Sequence, residues 1–535
     1  MTAPWTADTG DGGYRNPILH ADWSDPDVIR VGDAFYMIAS SFHRVPGLPV
    51  LHSTDLVGWR LIGHARERLV PEDAYRAPRP GCGVWAPALR HHDGRFWICY
   101  PDPDYGIYVT TSDDPAGAWS EPRLVLPGRG LIDPCPLWDD DGSAYLIHAW
   151  AKSRCGFNNR LTAHRMTPDL QRSLGTGTLV VDGDTIPGCR TLEGPKWYKR
   201  DGWYWIFAPG GGVTDGWQYA MRSRTVFGPY EQRIVLQQGT TKINGPHQGA
   251  WVRTRAGEDW FLHFQDLHAY GRVVHLQPMR WQDSGWPVIG DRGEPVIRYR
   301  KPLLEPTAAP VPGKPPTTTR VPGSGPETTR VLDAVDEWTW PANPAPGRPA
   351  AGELHPANGI RLACEPGDDL RTFPAVLGRR LPGPRFRAET TVRLDAGPGA
   401  RAGLTVLGHS YSWVGLEQQP GGPRLIRRTA EAGGEDDHDA ASPQPVSGPV
   451  HLALTVTDGA VAHFAADTGN GWQDVGPPFP ATPGGWIGAT LGLFAIGHTG
   501  HADFGPLRIT AVEGDRATAV TKDPITASDN DREQS

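Results

Sequence analysis

The segment Thr191-Leu-Glu-Gly-Pro-Lys-Trp197 carries a lone carboxylate, Glu193, and leads directly into a hairpin signal. An Asp201-Gly202 turn follows it, and the aromatic run Trp203-Tyr-Trp-Ile-Phe207 comes next, ahead of three consecutive glycines. This order predicts a strand, a tight turn and a second strand. The carboxylate would then lie at the beginning of the first of the two strands.

The same hairpin pattern occurs five times, which is typical of a repeat architecture. Each copy has a glycine-containing turn before an apolar or aromatic run, and the turns lie roughly 50 to 60 residues apart, which suits four short antiparallel strands per unit. The turns are Gly32-Asp33, Asp93-Gly94, Asp141-Gly142, Asp201-Gly202 and Gly257-Glu258. We therefore predict an all-β chain with a five-bladed β-propeller over residues 14–300. An open series of hairpins is the alternative, but it would leave sheet edges to protect.

Equivalent positions of propeller blades converge on the axis, so the residues that precede the five turns by a similar distance should meet there. These residues are Asp25, Trp85, Asp133, Glu193 and His247. In a ring of five, the first blade lies opposite the third and the fourth, and Asp25 would face Asp133 and Glu193 across a central funnel.

Two carboxylates on opposite sides of a sugar are what cleavage of a glycosidic bond requires, one as the acid and one as the base or nucleophile. The third carboxylate, Asp133, would disfavour ionisation of the neighbouring Glu193 and keep a proton on it near neutral pH. Asp-Pro and Glu-Gly-Pro are also ordinary turn sequences. The shared place of the three carboxylates in the repeat is what favours a catalytic site.

Residues 16–289 resemble glycoside hydrolase family 43, which contains β-xylosidases, α-L-arabinofuranosidases and arabinanases. The resemblance rests on four motifs, Ser24-Asp-Pro-Asp27, Gly83-Val-Trp-Ala-Pro87, Ile132-Asp-Pro-Cys-Pro136 and Leu192-Glu-Gly-Pro195. It implies a five-bladed propeller and hydrolysis with inversion. The residue roles that it implies are Asp25 as general base, Glu193 as general acid, Asp133 as the residue that tunes and orients the acid, Phe42 and Trp85 as walls of the sugar subsite, and Arg272 as a contact to sugar hydroxyls.

His247 is open to two interpretations. Similar family members have a histidine at the axis of the fifth blade, sometimes beside a water-coordinated calcium ion. Here the histidine stands in Asn244-Gly-Pro-His-Gln-Gly249, which departs from the commoner Gly-His pattern. Because no further His, Cys or acidic residue stands near it at ligand spacing, we expect no required cofactor. A structural Ca²⁺ held through water and a substrate-binding histidine are the alternatives.

The composition changes after residue 300. A stretch rich in Pro, Thr and Gly predicts a semi-stiff linker over residues 301–330. Alternating apolar residues return at 386–394 and 450–456, with an Asp458-Gly459 turn, and predict a β-sandwich over residues 331–513. It resembles the concanavalin-like sandwich that follows many family 43 xylosidases, and we expect it to pack on the propeller and roof the funnel. The polar end, residues 514–535, is predicted to be disordered.

Charge and composition exclude several partner classes. The chain has 52 Lys and Arg against 60 Asp and Glu, a net charge of −8, and no basic stripe, so nucleic acids and anionic membranes are poor partners. Residues 1–14 lack a signal-peptide pattern, which predicts a cytoplasmic protein, or a secreted one if a leader has been removed. The six cysteines show no pairing pattern and are expected to be free thiols. The sequence does not predict an oligomeric state.

The preferred hypothesis is an inverting glycoside hydrolase that releases terminal β-D-xylose and/or α-L-arabinofuranose from xylan- or arabinan-derived oligosaccharides. A retaining β-fructosidase shares the same domain plan, but its first motif usually reads Asn-Asp-Pro-Asn and its acid precedes a cysteine. Here the corresponding residues are Ser24-Asp-Pro-Asp27 and Glu193-Gly194. A sugar-binding propeller without catalysis is the third hypothesis, and the three retained carboxylates argue against it. Spacing alone does not distinguish xylose from arabinofuranose.

Overall fold

The computed structural model of this protein describes residues 3–305, 338–354, 358–434 and 438–513. The predicted linker beyond residue 305 and the predicted disordered tail at 514–535 lie outside the described residues. Two domains are described, and both consist of antiparallel sheets.

Five four-stranded sheets form the N-terminal domain, and within each sheet the strands follow one another in chain order. They are preceded by the short strand β1 (Gly13–Arg15). The first blade consists of β2 (Asp27–Val31), β3 (Ala34–Ile38), β4 (Gly47–Ser53) and β5 (Arg60–Arg66), and the second of β6 (Ala88–His92), β7 (Arg95–Asp102), β8 (Gly106–Ser112) and β9 (Arg123–Pro127). The third consists of β10 (Leu131–Trp138), β11 (Ala144–Trp150), β12 (Arg160–Met166) and β13 (Thr178–Asp182). The fourth consists of β14 (Lys196–Arg200), β15 (Trp203–Gly210), β16 (Trp217–Ser223) and β17 (Glu231–Gln237), and the fifth of β18 (His247–Arg253), β19 (Asp259–Asp266), β20 (Arg272–Trp281) and β21 (Pro287–Ile289).

The predicted turns join the first two strands of each blade, and their backbone explains their sequence. Asp93 and Gly94 have φ of 51° and 72°, and Asp201 and Gly202 have φ of 51° and 70°. Two successive residues with positive φ form the type I′ turn that matches the twist of paired strands, and Asp-Gly suits it well. The predicted hairpins are therefore confirmed in these blades.

The ring closes between the fifth and the first blade. Strand β1 pairs with β22 (Arg298–Arg300), beyond the fifth blade. The Tyr14 hydroxyl and the Asn16 side-chain amide both donate to the backbone oxygen of Leu276 in β20. One hydrophobic cluster joins side chains of both blades, including Phe35 and Trp260. Both chain ends of the domain thus hold the last blade against the first, and the predicted five-bladed propeller is confirmed.

The C-terminal domain is a sandwich of two sheets, as predicted. One sheet has the order β23-β35-β25-β30-β31-β32, with β33 paired to β31 and β36 to β25, and the other has the order β24-β34-β26-β27-β28-β29. The strands are β23 (Ile360–Ala363), β24 (Leu377–Arg380), β25 (Phe386–Ala396), β26 (Arg401–Leu407), β27 (Tyr411–Gln419), β28 (Gly422–Ala430), β29 (His438–Pro445), β30 (Val450–Thr457), β31 (Val461–Asp467), β32 (Gln473–Asp474), β33 (Phe479–Pro480), β34 (Thr490–Ile496), β35 (Gly500–Phe504) and β36 (Arg508–Ala511). Alternate residues of β25 and β30 are buried, in the register that the apolar period predicts.

Helical structure is limited to single turns in the described residues. The α-helix α1 spans Lys152–Cys155, and the 3-10 turns span Glu72–Tyr75, Gly183–Thr185, His268–Tyr270, Ala351–Glu353 and Asp458–Ala460. In the described part of the chain, no helix has the length and apolar character needed to cross a bilayer. All six cysteines lie in the described residues and are free thiols.

The sandwich is packed firmly on the propeller. Tyr270, at the end of a 3-10 turn of the fifth blade, is buried in the sandwich core cluster. Its hydroxyl lies 2.8 Å from the backbone oxygen of Pro384 and 3.1 Å from that of Thr457, and it accepts the backbone N–H of Ala460 at 2.9 Å. A shared apolar cluster and several buried hydrogen bonds fix the two domains in one orientation. The sandwich is therefore not a module that swings on its linker.

Candidate active site

Local backbone irregularities aim the axial carboxylates into the funnel. Asp25 and Asp133 have φ of 58° and 56°, in the left-handed region that aspartate tolerates better than most residues. Asp133 also lies at a bulge of β10, between Ile132 and Cys135. Bulges redirect side chains out of the regular alternation of a strand. The Asp-Pro sequences thus form turns and also hold the two carboxylates in position.

Asp25 is held by three side chains. Its Oδ2 accepts hydrogen bonds from the Ser24 hydroxyl at 2.7 Å and from the Ser40 hydroxyl at 2.5 Å. Arg272 Nη1 donates to Ser24 Oγ at 2.7 Å and lies 3.4 Å from Asp25 Oδ1. Both serine bonds fall on Oδ2, so Oδ1 keeps the capacity to accept a further hydrogen bond. This arrangement suits a carboxylate that receives a proton from water.

Glu193 is paired with His247. The distance between Glu193 Oε1 and His247 Nε2 is 2.9 Å. Burial lowers the pKa of His247 to about 3, so the imidazole is neutral. Its Nδ1 is buried without a hydrogen-bond partner. We assign the proton to Nε2, because an unpartnered lone pair is less costly than a buried N–H without an acceptor. His247 then donates to Oε1 and leaves Oε2 to carry the acidic proton.

The protonation of the cluster follows from burial and mutual repulsion. Burial, followed by the charge of Asp25, raises the pKa of Glu193 to about 7, while Arg272 opposes the shift. Burial also raises the pKa of Asp133, and the charges of Glu193 and Asp25 add to it. The cluster therefore retains a proton near neutral pH. The sequence argument assigned the raised pKa of Glu193 to Asp133, whereas burial and Asp25 are its main causes in the structure.

Asp133 contacts the acid through the backbone. Its Oδ2 accepts the N–H of Gly194, the residue after Glu193, at 2.7 Å. The side chain of Asp133 is buried, and Glu193 is the more accessible of the two, at 21% exposure. Asp133 thus fixes the chain at the base of the Glu193 side chain, and Glu193 extends toward the funnel. This contact fits the predicted orienting role of Asp133.

Aromatic side chains form one wall of the funnel. The rings of Phe42 and Trp85 have centroids 6.4 Å apart. Trp486, from a loop of the sandwich, meets Trp85 edge to face at 6.0 Å, and the Arg272 guanidinium lies 5.3 Å from the Trp486 ring centroid. Trp486 is 39% exposed despite these contacts. The second domain therefore contributes a side chain to the rim of the site, beside two of the predicted residues.

Asp22 connects the propeller and sandwich parts of this rim through hydrogen bonds, and the sequence patterns did not identify it. Its Oδ1 accepts the backbone N–H of Arg272 at 3.0 Å, and its Oδ2 accepts the N–H of Gly488, two residues beyond Trp486, at 3.0 Å. Burial opposes ionisation of Asp22, but the charges of Arg44 and Arg380 outweigh it and lower its pKa. One buried carboxylate thus positions a residue of the propeller and the sandwich loop together. Ser40 was also missed, since it lies outside the repeat position that identifies Asp25.

The residues around His247 do not form a metal site of their own. Calcium takes six to eight oxygen ligands. Across the described ranges, no group of three or more His, Cys, Asp or Glu side chains is placed to hold a metal ion. The nearest partner of the imidazole is Glu193 instead. A calcium ion held through water stays a prediction.

Comparison with known proteins decides the family. The sequence model of Glycosyl hydrolases family 43 matches residues 14–287, which contain nearly all of the propeller and all the predicted site residues. The chain belongs to glycosyl hydrolase family 43. A second sequence model, the beta xylosidase C-terminal concanavalin A-like domain, matches residues 334–510 of this glycoside hydrolase.

Several curated relatives and solved structures are similar to this family 43 enzyme. "Putative beta-xylosidase" from Xylanibacter ruminicola is 38% identical over 423 residues, which cover 78% of this chain and 74% of the relative. "Non-reducing end alpha-L-arabinofuranosidase" from Bacteroides ovatus is 28% identical over 549 residues, 92% of this chain and 93% of the relative. The crystal structure of xylan beta-1,4-xylosidase from Bacillus halodurans has a TM-score of 0.75 at 23% identity and covers 92% and 99% of the two chains. The structural likeness supports the two-domain fold.

Proposed function

We propose that this glycoside hydrolase releases terminal pentoses from hemicellulose-derived oligosaccharides with inversion, and that β-D-xylose is the main product, because a relative of 38% identity is named as a putative beta-xylosidase. The observation that carries the proposal is the funnel with two differently held carboxylates. Asp25 accepts hydroxyl and guanidinium donors, and Glu193 has a raised pKa beside a neutral histidine. Two carboxyl groups held in such different environments take different roles, one as base and the other as acid.

The acid step belongs to Glu193. Its pKa of about 7 makes the protonated form available at neutral pH. With Oε1 engaged by His247, the proton on Oε2 is free to pass to the glycosidic oxygen as the bond to the anomeric carbon breaks. Asp133 keeps the backbone after Glu193 in place through the Gly194 N–H. Glu193, fixed by His247 at its side chain and by Asp133 through the backbone, is thus held in place to assist departure of the leaving group.

The base step belongs to Asp25. A water molecule on the opposite face of the sugar would give its proton to Asp25 Oδ1 and attack the anomeric carbon, which inverts its configuration. The serine hydroxyls of Ser24 and Ser40 keep the carboxylate plane fixed during this transfer. Arg272, held between Phe264 and Trp486, is placed to contact a sugar hydroxyl next to the reaction centre. No covalent sugar-enzyme intermediate is needed.

Action at chain ends is supported by the roof of the site. Trp486 and the loop that carries it cover part of the funnel, and the contacts of Tyr270 and Asp22 keep the sandwich in that position. A pocket that encloses a small ligand favours one terminal sugar over the interior of a polymer. α-L-Arabinofuranose is the second candidate product, because a relative that aligns over 92% of this chain is named as an arabinofuranosidase.

Matched aryl glycosides test the proposal. The rates should be compared on 4-nitrophenyl β-D-xylopyranoside, α-L-arabinofuranoside and a β-fructoside, with release of single sugars from xylo-oligosaccharides followed in parallel. We expect the highest kcat/KM on the xyloside and xylose as the first product. Hydrolysis of the fructoside alone would support the β-fructosidase hypothesis, and binding without turnover of any substrate would support a sugar-binding propeller. Either result would overturn the proposal.

A further inference from the structure

A cluster of three arginines surrounds one carboxylate beside the aromatic wall of the funnel. Arg154 Nε, on α1, lies 2.9 Å from Asp104 Oδ1, and Arg129 Nη2 lies 3.8 Å from the same atom. Arg79 Nη2 lies 3.3 Å from Asp104 Oδ2. The arginines come from three separate connections of the second and third blades, so the fold, and not local sequence, brings them together. We call Arg79, Arg129 and Arg154 the arginine cluster.

The arginine cluster adjoins the rim of the funnel. The Arg154 guanidinium lies 5.6 Å from the ring centroid of Trp85. The backbone oxygen of Gly81 lies 3.4 Å from Arg154 Nη2 and accepts the Trp85 indole N–H at 3.1 Å. Gly81 also packs against the sandwich loop, since a Cβ added to it would lie 3.2 Å from Trp486 Cδ1. The cluster therefore lies beside Trp85 and close to Trp486, at the rim that the rest of an oligosaccharide must pass if the pocket holds its terminal sugar.

Positive charge exceeds negative charge at this point of the surface. Asp104 shares its single negative charge among three guanidinium groups. The neighbouring acid Asp102 is buried and bonded to the Tyr75 hydroxyl, and burial raises its pKa to about 7. Below that pH it adds little charge. The excess stands out in a chain of net charge −8, and Arg129 is 69% exposed, so a ligand can reach it.

We infer that the arginine cluster binds the carboxylate of an acidic sugar substituent on the leaving-group side of the scissile bond. Guanidinium groups present forked N–H donors that match carboxylate geometry, and several of them around one acid leave donors for a second carboxylate. A uronic acid branch supplies such a carboxylate on an otherwise neutral oligosaccharide. This inference deepens the proposed function and rests on it, because it assigns a preference among substrates of the same site.

Two aryl xylosides of similar size, one charged and one neutral, test the preference. The pair is 4-carboxyphenyl and 4-carbamoylphenyl β-D-xylopyranoside, which have aglycones of similar size. We expect the native enzyme to favour the carboxylate in kcat/KM by about two- to fivefold at low salt, as is typical of partly exposed charge pairs. The preference should shrink at about 0.5 M NaCl, because salt screens exposed charges.

Variants of Arg129 and Arg154 show whether the arginine cluster causes the preference for the charged substrate. In Arg129→Gln and Arg154→Gln, the ratio of the two kcat/KM values should fall toward one. The control Arg292→Gln alters a solvent-exposed arginine, 90% exposed, that follows the last strand of the fifth blade, and should keep the native ratio. A native ratio of one, or variants that slow both substrates equally, would overturn the inference and leave the cluster a structural support for Gly81 and Trp85.

A binding measurement separates this inference from the proposed function. Isothermal titration of the intact enzyme with a uronic acid-branched xylo-oligosaccharide and with its neutral parent compares their affinities without requiring turnover. Tighter binding of the acidic compound, lost in Arg129→Gln, would support the arginine cluster even if neither xyloside were hydrolysed, in which case the proposed function alone would fail. Equal affinities would overturn the inference while hydrolysis of the neutral xyloside upheld the function.

Discussion

Replacing Glu193 by glutamine removes the proposed acid and keeps its shape and an oxygen for His247. A carboxyl group with a pKa of about 7 is about half protonated at pH 7, whereas at its ordinary pKa of 4.5 it would be about 0.3% protonated. The environment thus keeps much of Glu193 protonated at neutral pH, where an ordinary glutamic acid would be almost fully ionised. We expect native kcat/KM on xylobiose to fall about tenfold per pH unit above pH 7, and Glu193→Gln to be about 100- to 10,000-fold slower without that alkaline limb.

The assay is a pH profile of both proteins on xylobiose and on an aryl xyloside with a good leaving group. Glu193→Gln should recover part of its rate on the activated substrate, because protonation of the leaving oxygen is then less important. The control Glu231→Gln, on the outer strand of the fourth blade, should retain the native rate and profile. An alkaline limb that persists in Glu193→Gln with the same midpoint would assign that limb to another group and refute the reasoning.

Three further predictions follow from the site and the core. Asp25→Ala should lose at least about 100-fold in rate on both xylobiose and the activated xyloside, since a better leaving group does not replace a base; recovery on the activated substrate would exchange the proposed roles. Trp486→Ala should raise KM for xylobiose about tenfold through lost apolar contact, while the control Trp472→Ala, at an exposed tryptophan of the sandwich, leaves it unchanged. If both variants behave alike, the sandwich does not wall the site. Stability should fall in acid, because burial lowers the pKa of several histidines to about 3 or 4 in the folded protein, whereas an unfolded histidine titrates near 6.5. Below that value, each of these histidines reduces the free energy of unfolding by about 1.4 kcal/mol per pH unit. Urea unfolding at about pH 7.5 and 5.5 measures this loss, and equal stabilities at the two pH values would contradict it. These histidines are His20, His43, His64, His148 and His263.

The repeat made the propeller and its axis predictable from sequence. Each turn fixes the register of a hairpin, so a residue at a similar distance before the turn reaches an equivalent place in every blade. This is why Asp25, Asp133 and Glu193 could be identified together. The alternating residues of β25 and β30 predicted a sandwich for the same reason, since period two determines which face is buried.

Contacts between distant segments could not be predicted in this way. Trp486 reaches the site from a loop that has no place in the repeat, and Asp22 acts through the backbone of Arg272 and Gly488. The only sequence signal for Trp486 is its position among glycines at 484, 485 and 488, of which Gly485 and Gly488 approach the propeller backbone closely. The main causes of the raised pKa of Glu193, burial and Asp25, likewise depend on how the blades close.

The stereochemistry of the first product tests the central claim most directly. An inverting pair keeps a water molecule between the sugar and the base, whereas a retaining pair uses the second carboxylate as a nucleophile. Proton NMR during hydrolysis of xylobiose or an aryl β-xyloside by the native enzyme resolves the two anomers before they equilibrate. We expect α-xylose to form first, as attack by water activated at Asp25 requires. Initial release of β-xylose would show retention, make Asp25 a nucleophile and contradict the account.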